Sequence, residues 1–133
     1  MRNIAREQII KLFINPQQTI MSGLWYSGYE GEGEYKEWFN NGQLCKHCFY
    51  KDGKRNGEYR LFHENGQLWE HYFFKNGNFN GEYKKWYESG QIWEHSFYKD
   101  DKREGEFKKW DKAGKLIYHR LYQDGKIIKD YLE

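Results

Sequence analysis

The chain has 133 residues, with 22 Lys and Arg against 20 Asp and Glu, a net charge of +2, and aromatic rings at 20% of its positions within a hydrophobic total of 38%. That length fits one domain. The interspersed charges exclude the basic arm of a nucleic-acid binder, and no apolar run is long enough for a membrane-spanning helix.

Residues 1–22 differ in character from the rest. Ile4, Ile9, Leu12 and Phe13 share one face of a predicted short helix that Asn15-Pro16 ends. The segment reads as a cap over the first hairpin. The alternative, a helix that contacts a partner or a membrane surface, rests on the sparse basic face of Arg2, Arg6 and Lys11. No secretory leader is legible here, and two cysteines make no disulfide framework, so the expected location is intracellular and cytoplasmic.

From 23 to 133 the sequence repeats with a period of 24. A half unit, LWYSGYEGE at 24–32, precedes GEYKEWFNNGQLCKHCFYKDGKRN (33–56), GEYRLFHENGQLWEHYFFKNGNFN (57–80), GEYKKWYESGQIWEHSFYKDDKRE (81–104) and GEFKKWDKAGKLIYHRLYQDGKII (105–128). Residues 129–133 look like the start of another unit, forming a C-terminal strand. Each unit carries two turn signals: Asn41-Gly42, Asn65-Gly66, Ser89-Gly90 and Ala113-Gly114, then Asp52-Gly53, Asn76-Gly77 and Asp124-Gly125, with Asp101 replacing the glycine once. Such dipeptides suit two-residue hairpin turns. The expectation is an all-β meander of about nine strands, an elongated single sheet of stacked hairpins.

These units resemble the MORN repeat family in its variant form, with G-x-[YF]-x-x-[WF], an N-G-[QK]-[LI] turn and [FL]-[YF]-x-D-G-K. The resemblance covers roughly residues 24–131. It implies a twisted sheet with no helical layer over it, whose exposed core must be filled by large side chains. Repeat-phased rings are therefore structural first: Tyr35/Tyr59/Tyr83/Phe107, Trp38/Phe62/Trp86/Trp110, Phe49/Phe73/Phe97/Leu121 and Tyr50/Phe74/Tyr98/Tyr122. Tyr35 and Trp38 are three apart, so either both faces carry rings or a bulge turns one over. If both do, the surplus face is a binding surface. The candidate aromatic surface is Trp69, Trp93, Trp38, Trp86 and Trp110. Trp69 and Trp93 lead because Cys45 and Ile117 share their column.

His47, His71, His95 and His119 occupy one repeat position. Equivalent positions lie two strands apart, about 9–10 Å, too far for one zinc ion to bridge. With two-residue turns throughout, His47 falls between Lys36 and Glu58, His71 between Arg60 and Glu82, and His95 between Lys84 and Glu106. That is a structural polar ladder, not a metal site, and it predicts pH-dependent stability. Cys45 and Cys48, in C-x-x-C spacing, have no second pair and read as structural thiols. Gly28-Tyr29-Glu30-Gly31-Glu32-Gly33 lacks the helix start of a phosphate loop, and no nucleophile recurs beside a base.

No enzyme and no cofactor are therefore expected. The first reading is a protein–protein interaction or scaffold module, self-associating through its edge strands, without nucleic acid. Lipid headgroups or carbohydrate held on aromatic platforms form the alternative. The near-neutral charge gives the membrane association implied by the resemblance little support. A third reading, an antitoxin-like or viral host-interaction factor, also follows from the resemblance.

Overall fold

A computed structural model describes residues 19–21, 24–29 and 31–133. They form one 13-stranded antiparallel sheet, with no helix among them. The strands are β1 (Thr19–Met21), β2 (Leu24–Ser27), β3 (Gly33–Trp38), β4 (Leu44–Lys51), β5 (Lys54–Phe62), β6 (Leu68–Lys75), β7 (Asn78–Phe79), β8 (Gly81–Trp86), β9 (Ile92–Lys99), β10 (Lys102–Arg103), β11 (Gly105–Trp110), β12 (Leu116–Gln123) and β13 (Lys126–Asp130). The excess over nine has three sources. β7 with β8, and β10 with β11, are single repeat strands interrupted at Asn80 and Glu104, β1 precedes the expected repeat boundary at 23, and β13 spans the joint that ends the fourth unit. The helix expected over the N-terminal segment lies outside the described residues.

The two turn types behave differently. Asp52-Gly53, Asn76-Gly77, Asp100-Asp101 and Asp124-Gly125 have positive φ at both positions, as a two-residue hairpin turn requires. The substituted Asp101 keeps that conformation at φ 69°. The Asn-Gly turns are instead three-residue loops. Phe39 N–H donates to Gln43 O at 2.8 Å and Gly42 N–H to Phe39 O at 2.9 Å, with positive φ at the glycine alone. The extra loop residue is offset two positions further on by a bulge. Glu37 pairs with Lys46 but Trp38 with Leu44, which leaves Cys45 unpaired on β4. Trp69, Trp93 and Ile117 are the extra residues of the same bulge in later units.

A second irregularity sits at every joint between units. Tyr50 pairs with Arg55 but Cys48 with Tyr59, so Phe49 faces Asn56, Gly57 and Glu58. Two extra residues shift the register without exchanging faces, because side-chain direction has period two. Gly57 reaches this geometry at φ 103° and Gly81 at 121°, where side chains are strongly disfavoured. The joint also corrects the expected ladder, since His47 lies opposite Lys36 and Arg60, not Glu58.

Among the described residues all buried ones fall on one face: Tyr35, Cys48, Tyr50, Tyr59, Tyr72, Phe74, Ser96, Phe107 and Tyr122. Tyr59 stacks on Tyr72 at 5.1 Å and Tyr72 on Tyr83 at 5.0 Å, both at 10°. Each such pair contributes about 0.5–1.5 kcal/mol beyond area burial. Neighbouring units are also tied through their turns. Gly77 N–H donates to Arg55 O at 2.8 Å. Asn76 N–H donates to the Asn56 side chain at 3.0 Å, and Glu32, Asn80 and Glu104 accept equivalent bonds.

The last joint departs from this plan. Tyr122 pairs with Ile127 and Leu121 with Lys129, so only Ile128 is extra. A one-residue shift exchanges faces. Asp130 therefore sits opposite Arg120, bonded at 2.7 Å. Tyr131, in the column of Tyr35, Tyr59 and Tyr83, stacks on His119 across the other face at 4.1 Å.

Candidate functional site

The tyrosine face is a closed core with a charged border. Glu37 lies 3.4 Å from Lys46 and Glu70 lies 3.7 Å from Lys85. The Tyr35 hydroxyl donates to Glu37 at 2.9 Å. Burial raises the Glu94 carboxyl against the opposing pull of Lys109 and Lys85, and burial likewise pushes the Tyr72 and Tyr83 phenols up. The Arg55 guanidinium covers Tyr59 at 5.4 Å and Phe74 at 5.3 Å, while Arg103 covers Phe107 at 4.5 Å. These cations seal the rings with their planar heads.

The opposite, histidine face is built from one motif. His47, His71, His95 and His119 share hydrogen bonds of 2.8, 2.9, 2.8 and 3.1 Å with Glu34, Glu58, Glu82 and Glu106 respectively. Each glutamate lies two residues before the base that pairs with its histidine across the strands. Lys36, Arg60, Lys84 and Lys108 are those bases, within 2.8 to 3.9 Å of the same carboxylates. The histidine bond, ahead of opposing desolvation and then the lysine, holds Glu82 and Glu106 below the usual carboxylate range. His47, His71 and His95 also rest on Phe49, Phe73 and Phe97 at 5.0 to 5.2 Å. Each Nε2 is thus already engaged, and no group of three or more metal-ligating side chains occurs among the described residues.

The tryptophans divide between the two sides. Trp38, Trp86 and Trp110 keep the alternation of β3, β8 and β11, fall on the histidine face beside Lys36, Lys84 and Lys108, and are half-buried. Both faces therefore carry rings. Trp93 occupies the bulge, stacked on Tyr87 at 4.8 Å and 6° with Lys85 Nζ 4.2 Å above it. Trp69, in the same column, is 36% exposed beside His63. Their column tolerates Cys45 and Ile117 because a bulged residue has no cross-strand partner to match. Cys45 and Cys48 are free thiols, and burial, followed by Glu37, raises Cys45 to about 11. That leaves it protonated and unreactive at neutral pH.

Sequence reasoning missed Phe97, 36% exposed on the histidine face, because its column reads as core. It also missed the glycine joints, whose signal was the Gly33/Gly57/Gly81/Gly105 column itself.

One open antiparallel sheet, built from hairpins that bond only to their neighbours, defines a β-solenoid repeat protein. Four stretches, 31–52, 55–76, 79–100 and 103–124, match the family described as MORN repeat variant. The chain belongs to that family, whose repeats are generally non-enzymatic modules. No curated protein matches the chain.

Proposed function

We propose that the chain is a protein–protein interaction module that binds through its histidine face. The observation that carries this is the distribution of burial: among the described residues every buried side chain lies on the tyrosine face. The phenylalanine and tryptophan columns opposite are half-buried or exposed. Folding consumes one aromatic face and leaves the second available, which is what a recognition surface requires. The ion-paired ladder between the two ring columns would fix a partner's register.

The test is a crosslinked capture from the native cell, comparing the intact chain with a Trp86→Ala, Phe97→Ala variant shown to be folded. One defined partner, reconstituted from purified protein and lost in the variant, is the expected result. Equal capture by both forms, or retention on lipid vesicles or sugar resin without protein capture, overturns the reading.

A further inference from the structure

The lysines of this sheet differ in their partners. Lys36, Lys46, Lys84, Lys85 and Lys108 each meet a glutamate within 4 Å. Nine others are exposed and make no ion pair among the described residues. Lys112 and Lys115 flank the Ala113-Gly114 turn, and Lys129 lies over Tyr131. The remaining six, Lys51, Lys54, Lys75, Lys99, Lys102 and Lys126, flank the Asp-Gly-type turns along one long side of the sheet, and their pairing places them on the histidine face: Lys51 opposite Lys54, Lys99 opposite Lys102, Lys75 opposite Asn78, Lys126 opposite Gln123.

Directly opposed like charges destabilise a hairpin, so folding does not account for Lys51 facing Lys54 or Lys99 facing Lys102. Their stems are also positioned. A Cβ on Gly77 would lie 3.7 Å from the Lys54 stem, and one on Gly125 would lie 3.7 Å from that of Lys102. Each lysine thus lies across the turn of the next unit and carries its charge along the row. Phe49, Phe73, Phe97 and Leu121 form the column immediately inside this row on the same face.

We infer that this row docks an extended acidic segment of a protein partner, its carboxylates on the lysines. The inference rests on the interaction-module reading above and names the partner's chemistry. Unpaired positive charge calls for a negative ligand. The turn carboxylates Asp52, Asp100, Asp101 and Asp124 interrupt the row, which disfavours the continuous phosphates of a nucleic acid or a bilayer. A peptide can place its own side chains to avoid them. Spacing narrows the ligand further. Units repeat every two strands, about 9–10 Å, and an extended peptide rises about 3.3 Å per residue, so an acidic residue at every third position meets one unit each.

The probe is a fluorescent peptide of four Glu-Gly-Ser triplets, titrated onto the full chain and onto a Lys54→Glu, Lys102→Glu variant at low and physiological salt. Binding by the intact chain should weaken with salt and fall by about tenfold or more in the variant. The variant should melt at a higher temperature, because Lys51 and Lys99 gain opposite charges across the hairpin. Equal binding by the two proteins, or no binding to the intact chain, overturns the inference. So does binding of phosphatidylserine vesicles that the triplet peptide does not displace. A partner captured from cells by an intact chain that ignores the peptide overturns this assignment alone. Failure to capture any protein overturns the module reading.

Discussion

The joint between the second and third units and the joint that ends the fourth use related sequence to opposite effect. At the first, two extra residues around Gly81 move the register by an even number, and Tyr83 stays on the tyrosine face beside Tyr72. At the second, Lys129 stands in the glycine column and Ile128 is the only extra residue. Tyr131 consequently crosses to the histidine face, and Asp130 takes its place against Arg120. Ile128 also occupies the column of Glu32, Asn56, Asn80 and Glu104, whose side chains receive the N–H of the next turn. Its aliphatic side chain offers no such acceptor. Propagation of the array thus depends on the parity of the joint and on one polar side chain, more than on the hairpins themselves.

The sharpest test of this contrast compares one column at two positions. Tyr59→Ala removes a ring that is 6% exposed and stacked on Tyr72, and should cost about 3–5 kcal/mol in denaturant unfolding. Tyr131→Ala removes one that is 37% exposed, and should cost about 1 kcal/mol or less. Similar losses would show that the two positions are equivalent after all.

The joint residues themselves come next. Gly81→Ala forces a side chain to φ 121° and should cost about 1–3 kcal/mol. Lys129→Ala, where φ is not positive, should leave the melting temperature nearly unchanged.

A smaller effect should appear in acid. The native carboxyls of Glu82 and Glu106 are held down chiefly by His95 and His119. Their contribution is therefore present above the unfolded value, about 4.3, and disappears as pH falls through the lower folded value. Glu82→Gln should flatten that limb of a melting-temperature profile, and an unchanged slope would remove the ladder from the stability account.

The smallest change concerns one ring. A single glycine inserted after Ile128 makes the last joint even, so the Tyr131–His119 ring contact should vanish from proton NMR spectra with little change in overall stability. Its persistence would mean that parity does not direct Tyr131.

Much of this was legible in the sequence. The 24-residue period, both turn sites and the histidine column follow from residues alone, and Lys36 opposite His47 was correctly placed because loop and bulge each add one residue on opposite sides of the tally. The glutamate partners were not. Glu58 was expected across from His47, whereas the joint at Gly57 carries it to the hydrogen bond with His71. A bulge leaves no mark in hydrophobic alternation when it adds an even number of residues. Only the unbroken glycine column betrayed it. Trp69 and Trp93 look alike in their shared column, yet Tyr87 covers Trp93 while Trp69, beside His63, remains 36% exposed. That difference depends on a neighbour outside the column.

The bonds from each turn to the preceding unit, such as Asn76 N–H to Asn56, have a consequence for how such a gene can change length. Each of the first three units delivers a polar side-chain acceptor, the same even shift and the same face to its successor. Removing or duplicating a block of 24 codons therefore rejoins compatible surfaces, whereas an in-frame change of another size strands one hairpin against the wrong side of the sheet. Variation in length among descendants of this sequence should come in whole repeats.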